Sequence, residues 1–305
     1  MMKFVVVGLG KMGMQIVERA CAAGFSVIAL DSNEAAKQRA ESLGSYAASG
    51  REDAVAQFQG EERVIVWLMI PAAAVEAETL AWMEVLSEGS LLVDGGNSDF
   101  RHTKNRAEKL AQKNIDMVDV GVSGGILGEK NGFSMMAGGD EEGYRTITPL
   151  LDALAKPHGG HRYFGEHGSG HFVKMVHNAI EYGMMESLAE GYEVLKEGPY
   201  KHLDLAAVGE VWQASSVITS NLNGLVAEIM HEDQDLGGVS GYVAESGEAR
   251  WTLEVAKSAG IEMPGVQAAF NVRVESEKGK VNYTTKLLAK LRNKFGGHAV
   301  NKLEK

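Results

Sequence analysis

A chain of 305 residues, 45% hydrophobic and 23% charged, has the make-up of a globular protein and enough length for one large domain or two ordinary ones. Its net charge of -11 argues against nonspecific binding to nucleic acid or anionic membrane, although a few local cations could still hold an anionic small molecule. The single cysteine, Cys21, leaves no internal disulfide and no cysteine-based metal cluster, as suits a reducing cytoplasm.

The apolar stretch at residues 4–7 is too short for a signal-peptide core, and Lys11, Gln15, Glu18 and Arg19 follow it closely. No run of eighteen apolar residues occurs, so no transmembrane helix is expected and the cytoplasm is the expected location. The first half then alternates strand-like runs at 4–7, 27–30, 64–68, 91–93 and 117–120 with helical patterns at 12–23, 34–43, 72–86 and 103–113. Pro71 stands where a first helical turn tolerates it. Such alternation predicts an α/β domain with a doubly wound parallel sheet covered on both faces. Residues 133–137 and 162–164 are candidates for further strands at the far edge.

Gly8-Leu9-Gly10-Lys11-Met12-Gly13 follows the first strand and opens the first helix. Glycines at this spacing also occur in ordinary turns, but the strand–turn–helix setting fits a dinucleotide pyrophosphate. There the backbone must approach closely, and the helix N-terminus points free N–H groups at the phosphates. The candidate cofactor residues are therefore Gly8, Gly10, Met12, Gly13 and Asp31. Asp31 ends the second strand twenty-one residues after Gly10, where a carboxylate can accept from a ribose 2′-hydroxyl. A plainer role for Asp31 is a turn or helix cap, and Ser32 and Asn33 could cap equally well. A carboxylate there repels a 2′-phosphate, and Ser32-Asn33 offers no cation to hold one, so NAD is expected over NADP.

Two loops stand at predicted strand ends, where open α/β sheets place ligands: Gly95-Gly96-Asn97-Ser98 and Gly121-Val122-Ser123-Gly124-Gly125. After about residue 165 the pattern turns helical, with periodicities at 172–196, 205–214, 251–258 and 267–276. This places a boundary between a domain at 1–165 and an all-helical one at 166–305. If the segment from Gly168 to Gly183 is helical, Lys174, His177, Asn178 and Glu181 share an arc of about 100° over about 10 Å of axis. One face then carries a base, an acid and two hydrogen-bonding groups. A solvated face is the bland alternative, but His177-Asn178 are poor choices for one. A lysine in a desolvated cleft has a lowered pKa and can serve as a general base.

The string Phe172-Val173-Lys174-Met175-Val176-His177-Asn178-Ala179-Ile180-Glu181-Tyr182-Gly183 and the tail Arg292-Asn293-Lys294-Phe295-Gly296-Gly297-His298 resemble the 6-phosphogluconate dehydrogenase (decarboxylating) family, in its short form. Residues 121–125 and the Lys174/Asn178 pair are shared with the wider β-hydroxyacid dehydrogenase superfamily. The resemblance covers nearly the whole chain. It implies a Rossmann-type domain followed by a helical one, a homo-oligomer (dimer or tetramer), and a tail reaching a partner subunit's site. It implies a phosphorylated sugar acid as substrate, NAD as cofactor, and no metal. By position, Lys174 is then the base at the 3-hydroxyl and Glu181 the acid that protonates the carbon left by carbon dioxide. Asn97, Ser123, Gly124, Gly125, His177 and Asn178 hold the sugar acid, with Asn97 also near the cofactor. Tyr182, Arg273, Arg292 and His298 take the phosphate.

The chain departs from the longer enzymes at Ile126-Leu127, where they carry two glutamates, and at Ser246, where they have a phosphate-binding lysine. Its helical part is also shorter. Two other readings compete: a non-decarboxylating β-hydroxyacid dehydrogenase for a small unphosphorylated acid, and a dinucleotide-binding regulator without turnover. Glu181, Tyr182, Arg292 and His298 argue against the first, and the Lys174–Glu181 face against the second.

Overall fold

The computed structural model describes residues 2–61 and 63–300. They form two compact units, Met1–Met175 and Val176–Lys305. The first unit is built on one eight-stranded sheet: β1 (Lys3–Val7), β2 (Ser26–Leu30), β3 (Tyr46–Ala47), β4 (Ile65–Leu68), β5 (Leu91–Asp94), β6 (Asp116–Ser123), β7 (Ser134–Gly139) and β8 (Gly160–Tyr163). Their spatial order is β3-β2-β1-β4-β5-β6-β7-β8. Pairing is parallel throughout except between β6 and β7.

Its helices are α1 (Lys11–Ala22), α2 (Glu34–Ser42), α3 (Arg51–Ala56), α4 (Ala72–Met83), α5 (Phe100–Ala111), the short α6 (Gly128–Asn131) and α7 (Glu141–Ala155). The strands read as continuous apolar runs because both faces are covered. On β1, Phe4 and Val6 join the core under α1 and α7, while Val5 and Val7 join the one under α4 and α5. On α5, Thr103, Arg106, Ala107 and Leu110 are buried at i, i+3, i+4 and i+7, so two polar side chains are taken into the interior with the helix's inner face.

The second unit is helical: most of α8 (Ser169–Glu197), then α9 (Leu205–Ser215), α10 (Asn221–Glu232), α11 (Glu248–Ser258), α12 (Pro264–Glu277) and α13 (Tyr283–Gly296). No helix among the described residues is long and apolar enough to cross a membrane.

The expected α/β sheet and the helical second part are both present. The edge strands expected at 133–137 and 162–164 appear as β7 and β8. Four differences carry information. β6 runs on through Ser123, so Gly121, Val122 and Ser123 are strand residues paired with Met136, Met135 and Ser134, and only Gly124 and Gly125 turn. Helices α3, α7, α10 and α13 arise where none was expected. Pro71 precedes α4 as its cap residue instead of standing in its first turn. Finally, Arg292, the first residue of the tail motif, lies within a core helix. It is on α13, whose Leu287, Leu288, Ala289 and Leu291 are buried.

Candidate active site

The glycine turn is fixed by sterics. Gly8 has φ +91°, and a side chain there would meet the Met69 carbonyl oxygen at 2.6 Å. A Cβ on Gly13 would stand 1.9 Å from the Gly8 carbonyl oxygen, so α1 approaches β1 as closely as backbone allows. Gly10 differs: nothing lies within 4 Å of the position a Cβ would take. It caps α1 without a side-chain hydrogen bond, so no side chain of the cap residue covers the start of the helix. A pyrophosphate fits that cradle.

Asp31 follows β2. Its Oδ2 accepts from Leu9 N at 2.6 Å and its Oδ1 from Asn33 N at 2.7 Å, while Asn33 caps α2. The carboxylate therefore braces the glycine turn from inside, with lone pairs left for a ribose hydroxyl. Met12 lies half-buried in the first turn of α1, and Asn97 is exposed on the turn after β5.

That turn rests on buried chemistry. Asp94 has no exposed surface, and its carboxylate accepts from Gly96 N and Ser98 Oγ at 3.0 Å each and from Arg106 Nη2 at 2.9 Å. A Cβ on Gly95 would strike the Trp67 indole nitrogen at 2.1 Å. Asp119 on β6 is equally buried and accepts from Gly168 N at 2.8 Å and His171 N at 2.9 Å, capping α8 from a strand some fifty residues away. Lys174 is buried one turn further along. A Cβ on Gly121 would lie 2.2 Å from the Lys174 Cβ, so the lysine stem packs on bare backbone of β6.

In the helical unit, His177 Nδ1 and Asn178 Oδ1 are 3.0 Å apart, and Asn178 Nδ2 donates to Glu248 Oε1 at 3.0 Å. Glu181 stands 4.0 Å from His177 Nδ1. The Arg273 guanidinium lies 3.2 Å from the centroid of the Tyr182 ring and is almost wholly buried. Burial first, and then the Arg292 guanidinium, pull its pKa down to about 10, against the favourable Tyr182 ring. The Tyr182 hydroxyl and Ser246 Oγ are 3.0 Å apart. Arg292 donates to the Ala244 carbonyl at 2.6 Å. Arg292 and His298 line a cavity of about 180 Å³ with Tyr242, Ala244, Ala289 and Ala299. Among the described residues neither Arg273 nor Arg292 is ion-paired with a carboxylate. The supporting residues Asp94, Thr103, Arg106, Asp119 and His171 were missed from sequence. For Thr103, Arg106 and His171 the signal was a polar residue at a position the helix period makes inward-facing, and for Asp94 and Asp119 a carboxylate in or at the end of an apolar strand run.

The sheet order, the glycine turn and the carboxylate after β2 define a dinucleotide-binding oxidoreductase of the Rossmann type. Residues 3–168 match the NAD binding domain of 6-phosphogluconate dehydrogenase, and residues 170–305 match the 6-phosphogluconate dehydrogenase C-terminal domain. The chain belongs to the 6-phosphogluconate dehydrogenase family. The NAD(+)-dependent, decarboxylating 6-phosphogluconate dehydrogenase of Haloferax volcanii is 37% identical over 301 residues, covering 98% of each chain. YqeC of Bacillus subtilis is 35% identical over 301 residues, covering 99% of this chain and 100% of that one. Among solved structures, Plasmodium falciparum 6-phosphogluconate dehydrogenase superposes with a TM-score of 0.79 at 24% identity, over 99% of this chain and 67% of that one. The Mycobacterium tuberculosis 3-hydroxyisobutyrate dehydrogenase gives 0.70 at 18% identity, over 94% and 98%. Both share the fold.

Proposed function

We propose that the chain oxidises and decarboxylates 6-phospho-D-gluconate to ribulose 5-phosphate and carbon dioxide with NAD. The observation that carries the substrate's phosphate is the pair of buried guanidinium groups, Arg273 and Arg292, neither ion-paired with a described carboxylate. Buried cations outside any ion pair are costly, and a dianionic phosphate would pair with both where the carboxylates around Arg273 act only at a distance. A small unphosphorylated acid would leave both without an ion-pair partner. Ser246 offers a hydroxyl beside Tyr182 where longer enzymes have a lysine, so the two arginines bear most of the load.

When bound, NAD accepts the hydride. Lys174 takes the proton of the 3-hydroxyl as the hydride leaves C3. The resulting ketone has its oxygen β to the carboxylate, and the Lys174 ammonium donates to that oxygen while the C1–C2 bond breaks and carbon dioxide leaves. Glu181 then delivers a proton to the carbon freed by that cleavage. Asn97, Ser123, Gly124, Gly125, His177 and Asn178 hold the sugar acid, and Tyr182 and His298 join the arginines at the phosphate. Asp31 sets the preference for NAD. We further place the enzyme in the cytoplasm, working as a homo-oligomer, with the domain boundary near residue 165.

Purified protein supplied with 6-phosphogluconate and NAD should release carbon dioxide and NADH in equal amounts. Lys174→Met should lower kcat by about 10²–10⁴-fold while leaving the Kd for NAD within twofold of wild type. A variant retaining a tenth of wild-type turnover would overturn the base assignment. NADH formed without carbon dioxide would instead identify a non-decarboxylating hydroxyacid dehydrogenase.

A further inference from the structure

One buried side chain in the sheet unit joins two features that the proposed chemistry needs. His171 lies in the first turn of α8, three residues before Lys174, and has almost no exposed surface. Its Nε2 is 3.1 Å from the main-chain carbonyl oxygen of Asp94, at the end of β5. A carbonyl only accepts, so Nε2 carries a proton. Its Nδ1 is 2.8 Å from Thr103 Oγ1 on α5. Arg106 Nη2 donates to that same hydroxyl at 3.2 Å, and of the two acceptors within reach of the Thr103 hydrogen, Nδ1 at 2.8 Å and the Asp99 carbonyl at 3.3 Å, the nearer takes it. The hydrogen bonds therefore run one way: Arg106 to Thr103, Thr103 to His171, His171 to Asp94.

Arg106 also closes the loop, since it donates to the Asp94 carboxylate that holds Gly96 N and Ser98 Oγ. The His171 ring thus ties the first turn of α8 to the turn bearing Asn97, and the backbone N–H of the same residue is tied to Asp119. The start of the helix lies close on the sheet, so a small shift there changes where Lys174 stands: a Cβ on Gly170 would meet the Met136 carbonyl oxygen at 2.4 Å, and one on Gly121 the Lys174 stem.

We propose that His171 is a positioning residue for proton transfer at Lys174, holding the first turn of α8 and the Asn97 turn in one register through Thr103 and Asp94. This rests on the assignment of Lys174 as the base. A histidine that merely filled the core would contribute stability and nothing else. A base held in the wrong place loses rate in the chemical step while cofactor binding stays as it was.

The test uses the full chain with Thr103→Val, which keeps the shape and deletes the hydroxyl, and Thr103→Ser, which restores it. With 6-phosphogluconate and NAD, Thr103→Val should lose about tenfold or more in kcat, on the scale of a misplaced catalytic group. The KM for NAD should stay within twofold, and the isotope effect with substrate deuterated at C3 should rise. Thr103→Ser should return kcat to within about twofold of wild type, and His171→Gln, whose amide can still donate to the Asp94 carbonyl, should outperform His171→Leu. A kcat loss matched by a loss of folded protein, with an unchanged isotope effect, would overturn the proposal. Amide hydrogen exchange supplies an arm that needs no substrate. Thr103→Val should loosen residues 95–98 and 168–174 together and leave β1 and α1 alone. Loosening of neither segment, or of one alone, also overturns the proposal. Wild-type protein that ignores 6-phosphogluconate would sink the substrate assignment, and the exchange arm would still decide the role of His171.

Discussion

Asp31 shows how much one side chain can be asked to do. Its carboxylate holds Leu9 N inside the glycine turn and Asn33 N at the start of α2, and it stands where a ribose 2′-hydroxyl would come. The turn role and the cofactor role, alternatives at the level of sequence, are compatible in one carboxylate because it has about four acceptor sites. A 2′-phosphate would meet that negative charge with no cation on Ser32 or Asn33 to offset it. Catalytic efficiency should therefore be higher with NAD than with NADP. Replacing Asp31 with Ser and Ser32 with Arg should move the NADP-to-NAD ratio upward by at least tenfold, while both efficiencies fall because Leu9 N loses its acceptor. Steady-state kinetics with the two cofactors decides it. Wild-type preference for NADP would refute the assignment.

Strand β6 and helix α8 meet more tightly than a sequence reading could foresee. Gly121 looked like part of a ligand loop, yet it is a strand residue whose missing side chain makes room for the Lys174 stem. Its need for a bare Cα comes from a neighbour fifty-three positions away, which no local pattern encodes. The same limit explains the other omissions. Helix α13 hides its apolar face among Lys and Asn, and Arg292 is buried on it because it reaches the Ala244 carbonyl. The antiparallel direction of β7 depends on a short excursion through α6 that carries no strand signal. Local patterns do encode the apolar strand runs, the glycine turn and the long helix bearing Lys174. Gly121→Ala follows from the contact. A Cβ 2.2 Å from that of Lys174 must push α8 away from β6, and overpacking of this kind costs about 1–3 kcal/mol. The variant should lose about 10- to 100-fold in kcat, with NAD affinity near wild type in an equilibrium titration. Unchanged kcat would show that the helix can back away without displacing Lys174 from its proposed role.

Under the proposed function a molecule with a net charge of -11 takes up an anionic substrate and must keep its cations available, and Glu186 bears on that. It is buried on α8, and its pKa is raised from 4.5 to about 7, by burial first and by the charge of Glu190 next, with Arg273 pulling the other way. In the unfolded chain the carboxyl ionises near 4.5, so between pH 4.5 and 7 the folded state holds a proton that the unfolded state has lost. Stability therefore falls as pH rises through that window and levels off above about 7, where the folded state is charged as well. Glu186→Gln keeps the shape and removes the ionisation. It also removes an attraction to Arg273, but burial is the larger cause, so the net change at high pH is favourable. The variant should melt a few degrees above wild type at pH 8, given roughly 2–4 °C per kcal/mol for a chain of this order of size. The gap should close toward pH 5, where both side chains are neutral in the fold. Melting curves across pH check this directly, and a variant that melts below wild type at pH 8 would mean that the Glu186 charge is sustained by Arg273 instead of being penalised by burial.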